Sequence, residues 1–283
     1  MRCFSYISAM LALIALAVFP AAAQDAELAY TKDAQSVAFY RQMMTSVQSG
    51  LNLFEYRPHR ESDKMPELDS RWVKQGFVPF VRHWGTAVYP VSVPAAQEID
   101  APAVAFAAAG ELEPLSFCVR TLASEVSGLR ITAGALVSLT TDSFIPPDSL
   151  EIGIVEYFPV RWGKGSSSRE WRWHPTRIWP LAKFPGNRFC EREPVGTLKL
   201  PPNTTVRFWI SVHTPVDIAP GQYSGSVLVE HWGASYRLPV SFTVLPTILS
   251  NEGLPPFGAF IPGPLDRYAC GDLADHGIRS SSH

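Results

Sequence analysis

Residues 208–246 read FWISVHTPVDIAPGQYSGSVLVEHWGASYRLPVSFTVLP, and this stretch decides the fold. Every second residue from Tyr236 to Val244 is apolar, and polar residues or proline stand between them. A period of two is typical of a strand with one buried and one wet face. Residues 206–212 show the same alternation, and Val227 and Val229 lie between these two alternating segments. The stretch predicts three antiparallel strands at the closing edge of a sheet, which needs a facing layer.

The turns between these strands carry their own signals. Pro220 fixes φ near −65° and Gly221 accepts positive φ, so the pair predicts a type II turn. Residues 231–234, with Gly233 inside, predict a hairpin loop. We expect the Tyr223 hydroxyl to hold the preceding turn, as a tyrosine corner does, and not to bind a ligand.

Composition narrows both the fold class and the partners. The chain has 283 residues, of which 46% are hydrophobic, so it can bury a large core. The formal net charge of −2 gives no electrostatic reason to expect nucleic acid or an anionic membrane as a partner. The 25 prolines and many short strand-like segments favour a mainly β fold. We predict an antiparallel β-sandwich over residues 72–246.

The N-terminal residues have the pattern of an export signal. Arg2 precedes an apolar run at 10–19, and three alanines at 21–23 follow it. The run is too short for a membrane span and ends in small residues, which indicates a secretory signal peptide over 1–23. The alternative is a membrane anchor. Export predicts a periplasmic or extracellular protein with no membrane association after cleavage.

Two further segments flank the predicted sandwich. Residues 24–71 predict an amphipathic helix over 25–49 followed by a polar loop, the alternative being a poorly ordered N-terminus. Residues 247–283 predict a linker, a strand at 257–261, a helix at 266–275 and a second strand from Ile278. Strand–helix–strand is the opening unit of a parallel α/β domain. A (β/α)₈ barrel needs about 250 residues, so we expect the start of an incomplete barrel here.

Three cysteines follow the predicted signal peptide: Cys118, Cys190 and Cys270. An exported protein can form disulfides, so a bond between Cys118 and Cys190 is one possibility. Free buried thiols are the alternative.

The aromatic segment 162–193 contains the candidate ligand-binding residues, which are Trp162, Trp171, Trp173 and Trp179. Trp171 and Trp173 are two residues apart and so share a face of a strand. Exposed indoles beside arginines are suited to stacking on sugars and hydrogen-bonding to them. The alternative is that these rings pack the segment onto the sandwich.

No catalytic, metal or cofactor site is predicted from the remaining polar residues. Glu111 and Glu113 share a strand face, and Glu191 and Glu193 do the same, but surface carboxylates explain both pairs better than acid–base catalysis. The seven histidines show no metal-ligand spacing, and no nucleophile or phosphate-loop motif occurs.

Four short motifs, taken in order, resemble a known group of proteins. They are FVPFVR at 77–82, E-x-E-P-L-S-F at 111–117, P-G-x-Y-x-G at 220–225 and D-L-x-x-H-G-I at 272–278. The chain is thus similar, over about residues 72–279, to the N-terminal β-sandwich of exported bacterial proteins resembling glycoside hydrolase family 123. In that family a sandwich precedes a (β/α)₈ catalytic barrel. The family's adjacent acidic pair has no matching position here, so the resemblance transfers no catalytic residue.

Three functions remain open from the sequence. The resemblance implies an accessory sandwich of a carbohydrate-active protein that docks the barrel and is not catalytic by itself. Alternatively, the chain is the N-terminal part of a glycosidase whose active site lies beyond residue 283. A stand-alone glycan-binding or adhesion sandwich is the third possibility.

Overall fold

The computed structural model describes residues 55–56, 61, 63–161, 170–232, 234–248, 257–260 and 278–282. The chain divides into two compact units, Met1–Ile248 and Leu249–His283. The first unit contains one short α-helix among its described residues, α1 (Ser70–Gln75). Its strands are β1 Glu55–Tyr56, β2 Phe77–Phe80, β3 Ala103–Ala109, β4 Leu112–Thr121, β5 Val126–Ala133, β6 Leu136–Ser138, β7 Phe144–Ile145, β8 Leu150–Arg161, β9 Glu170–Pro180, β10 Glu191–Arg192, β11 Leu198–Leu200, β12 Thr205–His213, β13 Gly221–His231 and β14 Ala234–Ile248.

These strands form two sheets that enclose one apolar core, which confirms the predicted mainly β sandwich. Sheet I has the strand order β1-β9-β8-β12-β4-β2. Sheet II has the order β10-β11-β5-β13-β14-β3, with β6 and β7 attached beside β13. Inward side chains of both sheets meet in the core, where the rings of Phe117 and Phe208 stack at 5.1 Å. Burial of this apolar surface is the main stabilising contribution to the fold.

The prediction that residues 208–246 form one edge of an antiparallel sheet is wrong in two respects. Strand β12 pairs with β4 and β8 in sheet I, whereas β13 and β14 belong to sheet II. Strand β14 is also not an edge, because β3 pairs with it in parallel. The alternation of apolar residues shows which face of a strand is buried, but it does not determine which strands are neighbours.

The P-G-x-Y-x-G motif fixes the entry into β13. Gly221 adopts φ of 143°, which is the positive φ predicted for it. The Tyr223 hydroxyl donates to the Ala219 carbonyl at 2.5 Å, so the predicted tyrosine-corner role is confirmed. A Cβ atom on Gly225 would lie 2.5 Å from the Ala135 carbonyl oxygen. Glycine is therefore required at 225 by the close approach of the chain before β6.

Helix α1 lies at the start of the sandwich. The Asp69 side chain accepts from the Arg71 amide at 2.9 Å and caps the N-terminus, and Gly76 ends the helix at φ of 84°. The helix buries Trp72 edge-on against Tyr236, with ring centroids 5.0 Å apart. The longer helix predicted over 25–49 lies outside the described residues.

Cys118 and Cys190 are both buried and free, so the possible disulfide between them is not formed. The neighbours of Cys118 in β4, Phe117 and Val119, point into the core, so Cys118 itself points outward. It packs with Phe80 on the outer face of sheet I. Cys190 lies in the core between the sheets. The two thiols are thus on opposite sides of sheet I. Burial raises the pKa of both, to about 12 for Cys118.

In the second unit, strands β15 (Phe257–Phe260) and β16 (Ile278–Ser282) lie where the sequence predicts strands, and they pair in parallel. The helix predicted between them lies outside the described residues. None of the helices in the described part of the chain has the length and hydropathy needed to cross a membrane.

Candidate functional site

The four predicted tryptophans do not form one surface. Trp162 lies outside the described residues, and only the backbone of Trp171 is described, in β9 opposite Arg161. Trp173 and Trp179 are 4% and 1% exposed. Trp173 packs on the outer face of sheet I, whereas Trp179 lies in the core. Burial of these two rings favours the packing role, and ligand binding by the group stays a prediction.

A β-bulge explains why Trp173 and Trp179 face opposite ways. Their spacing of six residues would place both on one face of a regular strand. The register of β8 and β9 shifts between Glu156 and Tyr157, so that Thr176 is an extra residue in β9. The alternation of β9 inverts at this point.

The buried indole of Trp179 belongs to a polar cluster. Its Nε1 donates to Glu156 Oε2 at 2.9 Å, and the same carboxylate forms an ion pair with Arg177. The Arg177 guanidinium also lies 4.8 Å from the centre of the Trp179 ring. A buried carboxylate requires such partners. This arrangement gives Trp179 a structural role.

An open site lies instead on the outer face of sheet II, at the hairpin between β13 and β14. Trp232 is 78% exposed at the tip of that hairpin. A cavity of about 310 Å³ opens beside it, which we call the Trp232 pocket. Its lining residues are Gly128, Arg130, Val195, Thr197, Glu230, His231 and Trp232.

Local geometry holds the Trp232 side chain in place. The ladder between β13 and β14 runs to the pair His231 and Ala234, so the loop has only two residues. Trp232 takes φ of 38°, which is rare for a bulky residue. Its indole lies against Gly128, where a Cβ atom would be 2.8 Å from the ring. Strained backbone of this kind is enriched at functional sites.

Charged groups of both signs line the Trp232 pocket. Arg130 and Glu230 are register partners in β5 and β13, and both point away from the core. Directly opposed residues on one face have Cβ atoms about 5 Å apart. The pocket therefore combines an exposed aromatic ring with a guanidinium and a carboxylate.

Glu193 organises the wall behind the indole, although the sequence predicts it to be a surface carboxylate. Its Oε2 accepts from the Gly128 amide and the Thr197 hydroxyl, each at 2.7 Å. Its Oε1 accepts from the Ser127 hydroxyl at 2.5 Å. Desolvation raises the pKa of Glu193, but these hydrogen bonds outweigh it and the pKa is lowered. Glu191, by contrast, is exposed and forms an ion pair with Lys199 at 3.1 Å.

A second exposed indole, Trp84, lies on the outer face of sheet I. It is 44% exposed, stacks on His83 at 5.1 Å and meets Trp209 edge-on at 6.3 Å. Arg207 of β12 holds the loop that contains Trp84, residues 83–86, against the sheet. Its buried guanidinium donates to the carbonyl oxygens of His83 and Thr86, each at 2.6 Å.

The Trp232 pocket has the composition of a ligand-binding site. An indole beside donors and acceptors is suited to ligands that have an apolar face and polar edges. Among the described residues, no group of three or more His, Cys, Asp or Glu side chains could hold a metal ion. Trp232 is not among the ligand-binding residues predicted from the sequence. The available signal was a tryptophan in the hairpin loop predicted over residues 231–234, since loops lie on the surface.

No family model matches this chain, and no curated protein matches it significantly. Three solved structures show partial similarity. A family 123 glycoside hydrolase from Clostridium perfringens has a TM-score of 0.39 and 20% identity over 51% of this chain and 23% of its own. AvmM, which catalyses macrocyclization in alchivemycin A biosynthesis, has a TM-score of 0.32 and 14% identity over 53% of this chain and 88% of its own. A mutant of the CFA/I enterotoxigenic E. coli adhesin CfaE has a TM-score of 0.27 and 9% identity over 62% of this chain and 50% of its own. This chain thus spans less than a quarter of the length of the glycoside hydrolase.

Proposed function

We propose that this chain is the accessory β-sandwich of an exported carbohydrate-active protein and that its Trp232 pocket holds a sugar. The observation that carries the proposal is the exposed indole of Trp232, fixed on Gly128 beside Arg130 and Glu230. A large exposed aromatic ring loses favourable burial unless something covers it.

The chemistry of the pocket fits a sugar ring. The apolar face of a pyranose packs on an indole, and its hydroxyls accept from a guanidinium and donate to a carboxylate. Arg130 and Glu230 lie beside the indole and supply both groups. The short hairpin loop already orders Trp232, so binding loses little side-chain entropy.

The accessory role and the export rest on the sequence. The order of four motifs resembles the sandwich of family 123-like proteins, and the first 23 residues have the pattern of a signal peptide. In this proposal the sandwich presents glycan to a catalytic domain and is not catalytic by itself.

A second candidate is that the full-length protein is a glycosidase of which this chain is the N-terminal part. The parallel pairing of β15 with β16 favours it, because parallel strands joined by a crossover open a (β/α)₈ barrel. Sequencing the source DNA past residue 283 tests it. An open frame of about 250 residues with paired acids supports this candidate. A stop codon with no barrel in any frame rejects it.

The sugar site is tested by binding of the full chain to arrayed neutral and acidic oligosaccharides. We expect Trp232→Ala to lose at least about tenfold in affinity, equivalent to ~1.4 kcal/mol. Trp84→Ala is the matched control, because it removes an exposed indole from the other sheet. Unchanged binding by Trp232→Ala would place the sugar elsewhere. Binding of no glycan by the wild type would reject the carbohydrate function.

A further inference from the structure

Beyond Leu228, which adjoins the Trp232 pocket and has Arg237 as its register partner, the outer face of sheet II continues along β13 as a strip of small polar side chains. Tyr223, Val227 and Val229 point into the core, so the alternate residues of β13 point outward. On β14, Ser241 is the register partner of Ser224, and Thr243 is that of Gln222. The strip consists of Gln222, Ser224, Ser226, Ser241 and Thr243.

Exposed apolar side chains flank this polar strip on both sides. On one side, Val104 and Phe106 of β3 lie beside Ser241 and Thr243. On the other, Val137 of β6 lies beside Ser224. The same side continues in two further exposed residues, Leu139 and Phe144. The polar strip is therefore the floor between two apolar ridges.

The face formed by the strip and the ridges carries no charge. None of these side chains is ionisable, although 18% of the whole chain is charged. Toward the pocket, the next outward charge is Arg237 of β14, the register partner of Leu228, and Arg130 and Glu230 follow in the pocket itself. Along β13, the strip from Ser226 to Gln222 spans about 14 Å at ~3.4 Å per residue, and the distance from Glu230 of the pocket to Gln222 is about 27 Å. From β6 across to β3 there are three strand spacings of ~4.8 Å, or about 14 Å. The face is thus much longer than one sugar ring.

We propose that this uncharged face extends the sugar site, and that the ligand is a neutral, extended glycan chain lying along β13. The inference rests on the proposed function of the Trp232 pocket. Hydroxyl and amide groups in the floor match the hydroxyls of a sugar chain. The ridges match its C–H faces, and the absence of charge in the strip from Ser226 to Gln222 gives an acidic glycan no cation there.

An apolar protein surface fits this face less well than a glycan does. Covering the face with apolar side chains would bury the hydroxyls of Ser224 and Ser241 and the amide of Gln222 without hydrogen-bond partners, which is costly. A polyol satisfies these groups while it covers Val104 and Phe106. A second copy of the chain is therefore the weaker occupant, and the experiment below distinguishes it.

The experiment compares short and long neutral glycans by isothermal titration calorimetry on the full chain. The probes are the disaccharide and the hexasaccharide of the cellulose, chitin and starch series. We expect the hexasaccharide of the series that binds to be at least about tenfold tighter than its disaccharide. Ser224→Arg blocks the strip and should remove that gain while leaving the disaccharide affinity unchanged. Ser211→Arg, on the outer face of sheet I, is the matched control and should behave as wild type.

The outcomes separate this inference from the proposed function. Equal affinity for both lengths, or a gain that survives Ser224→Arg, overturns the extended site but leaves the Trp232 pocket in place. Binding of neither length in any series overturns both. Self-association in sedimentation velocity that Ser224→Arg abolishes, without length-dependent glycan binding, would assign the face to a second copy and overturn the inference.

Discussion

Glu193 should stabilise the fold through its charge, and this effect should depend on pH. Glu193→Gln keeps the size of the side chain but replaces one accepting oxygen with a donor. The carboxylate accepts three hydrogen bonds, from Ser127, Gly128 and Thr197, at 2.5–2.7 Å. Hydrogen bonds to charged groups contribute about 1.5–3 kcal/mol each when well buried. Because Glu193 is half-buried, we expect the substitution to lower the free energy of unfolding by about 2 kcal/mol in total at neutral pH.

The sign of the pH dependence follows from the lowered pKa of Glu193. A carboxyl whose pKa is lower in the native state than in the unfolded state stabilises the protein above the unfolded pKa. That stabilisation is lost as the pH falls through the native pKa. The difference between wild type and Glu193→Gln should therefore be largest at neutral pH and should vanish in acid.

The assay is urea unfolding of wild type and variant at a series of pH values from neutral into acid, monitored by far-UV circular dichroism. Glu191→Gln is the control, because Glu191 is exposed and a surface ion pair such as the one with Lys199 contributes little to stability. A loss at Glu193 that is as large in acid as at neutral pH would refute the role of the charge. A loss no larger than that of Glu191→Gln would refute the role of the hydrogen bonds.

Two further substitutions test how the loops are fixed to the sheets. Arg207→Met should lower the free energy of unfolding by about 2 kcal/mol, because it leaves the part-buried carbonyls of His83 and Thr86 without this donor. It should also shift the tryptophan fluorescence as Trp84 is released. A change below about 1 kcal/mol in urea unfolding would show that the loop does not depend on this guanidinium. Gly225→Ala should lower the free energy of unfolding by about 1–3 kcal/mol, because the new methyl group meets the Ala135 carbonyl oxygen. Gly134→Ala is its control, with 3.4 Å to the nearest atom, and equal melting temperatures for the two variants would contradict the steric argument.

Strands and turns were predictable from the sequence because their signals are local. The alternation in residues 236–244 gave the buried face of β14, and Pro-Gly-x-Tyr gave the turn and the tyrosine corner before β13. Helix α1 could also have been predicted, since Asp69 and Gly76 stand at its two caps. Local alternation failed at β9, where the extra residue Thr176 inverts the pattern and buries Trp179. The bulge depends on pairing with β8, which the residues of β9 alone do not encode.

The sequence by itself determined the fold class, because a period of two and frequent turn residues favour sheets whatever their order. Only the tertiary structure decided that β12 and β13 belong to different sheets and that the two buried cysteines lie on opposite sides of sheet I. It also decided the Trp232 pocket. Gly128 and Trp232 come from distant parts of the chain and meet because β5 pairs with β13. Which strands pair is fixed by packing between the sheets, and no local pattern records that choice.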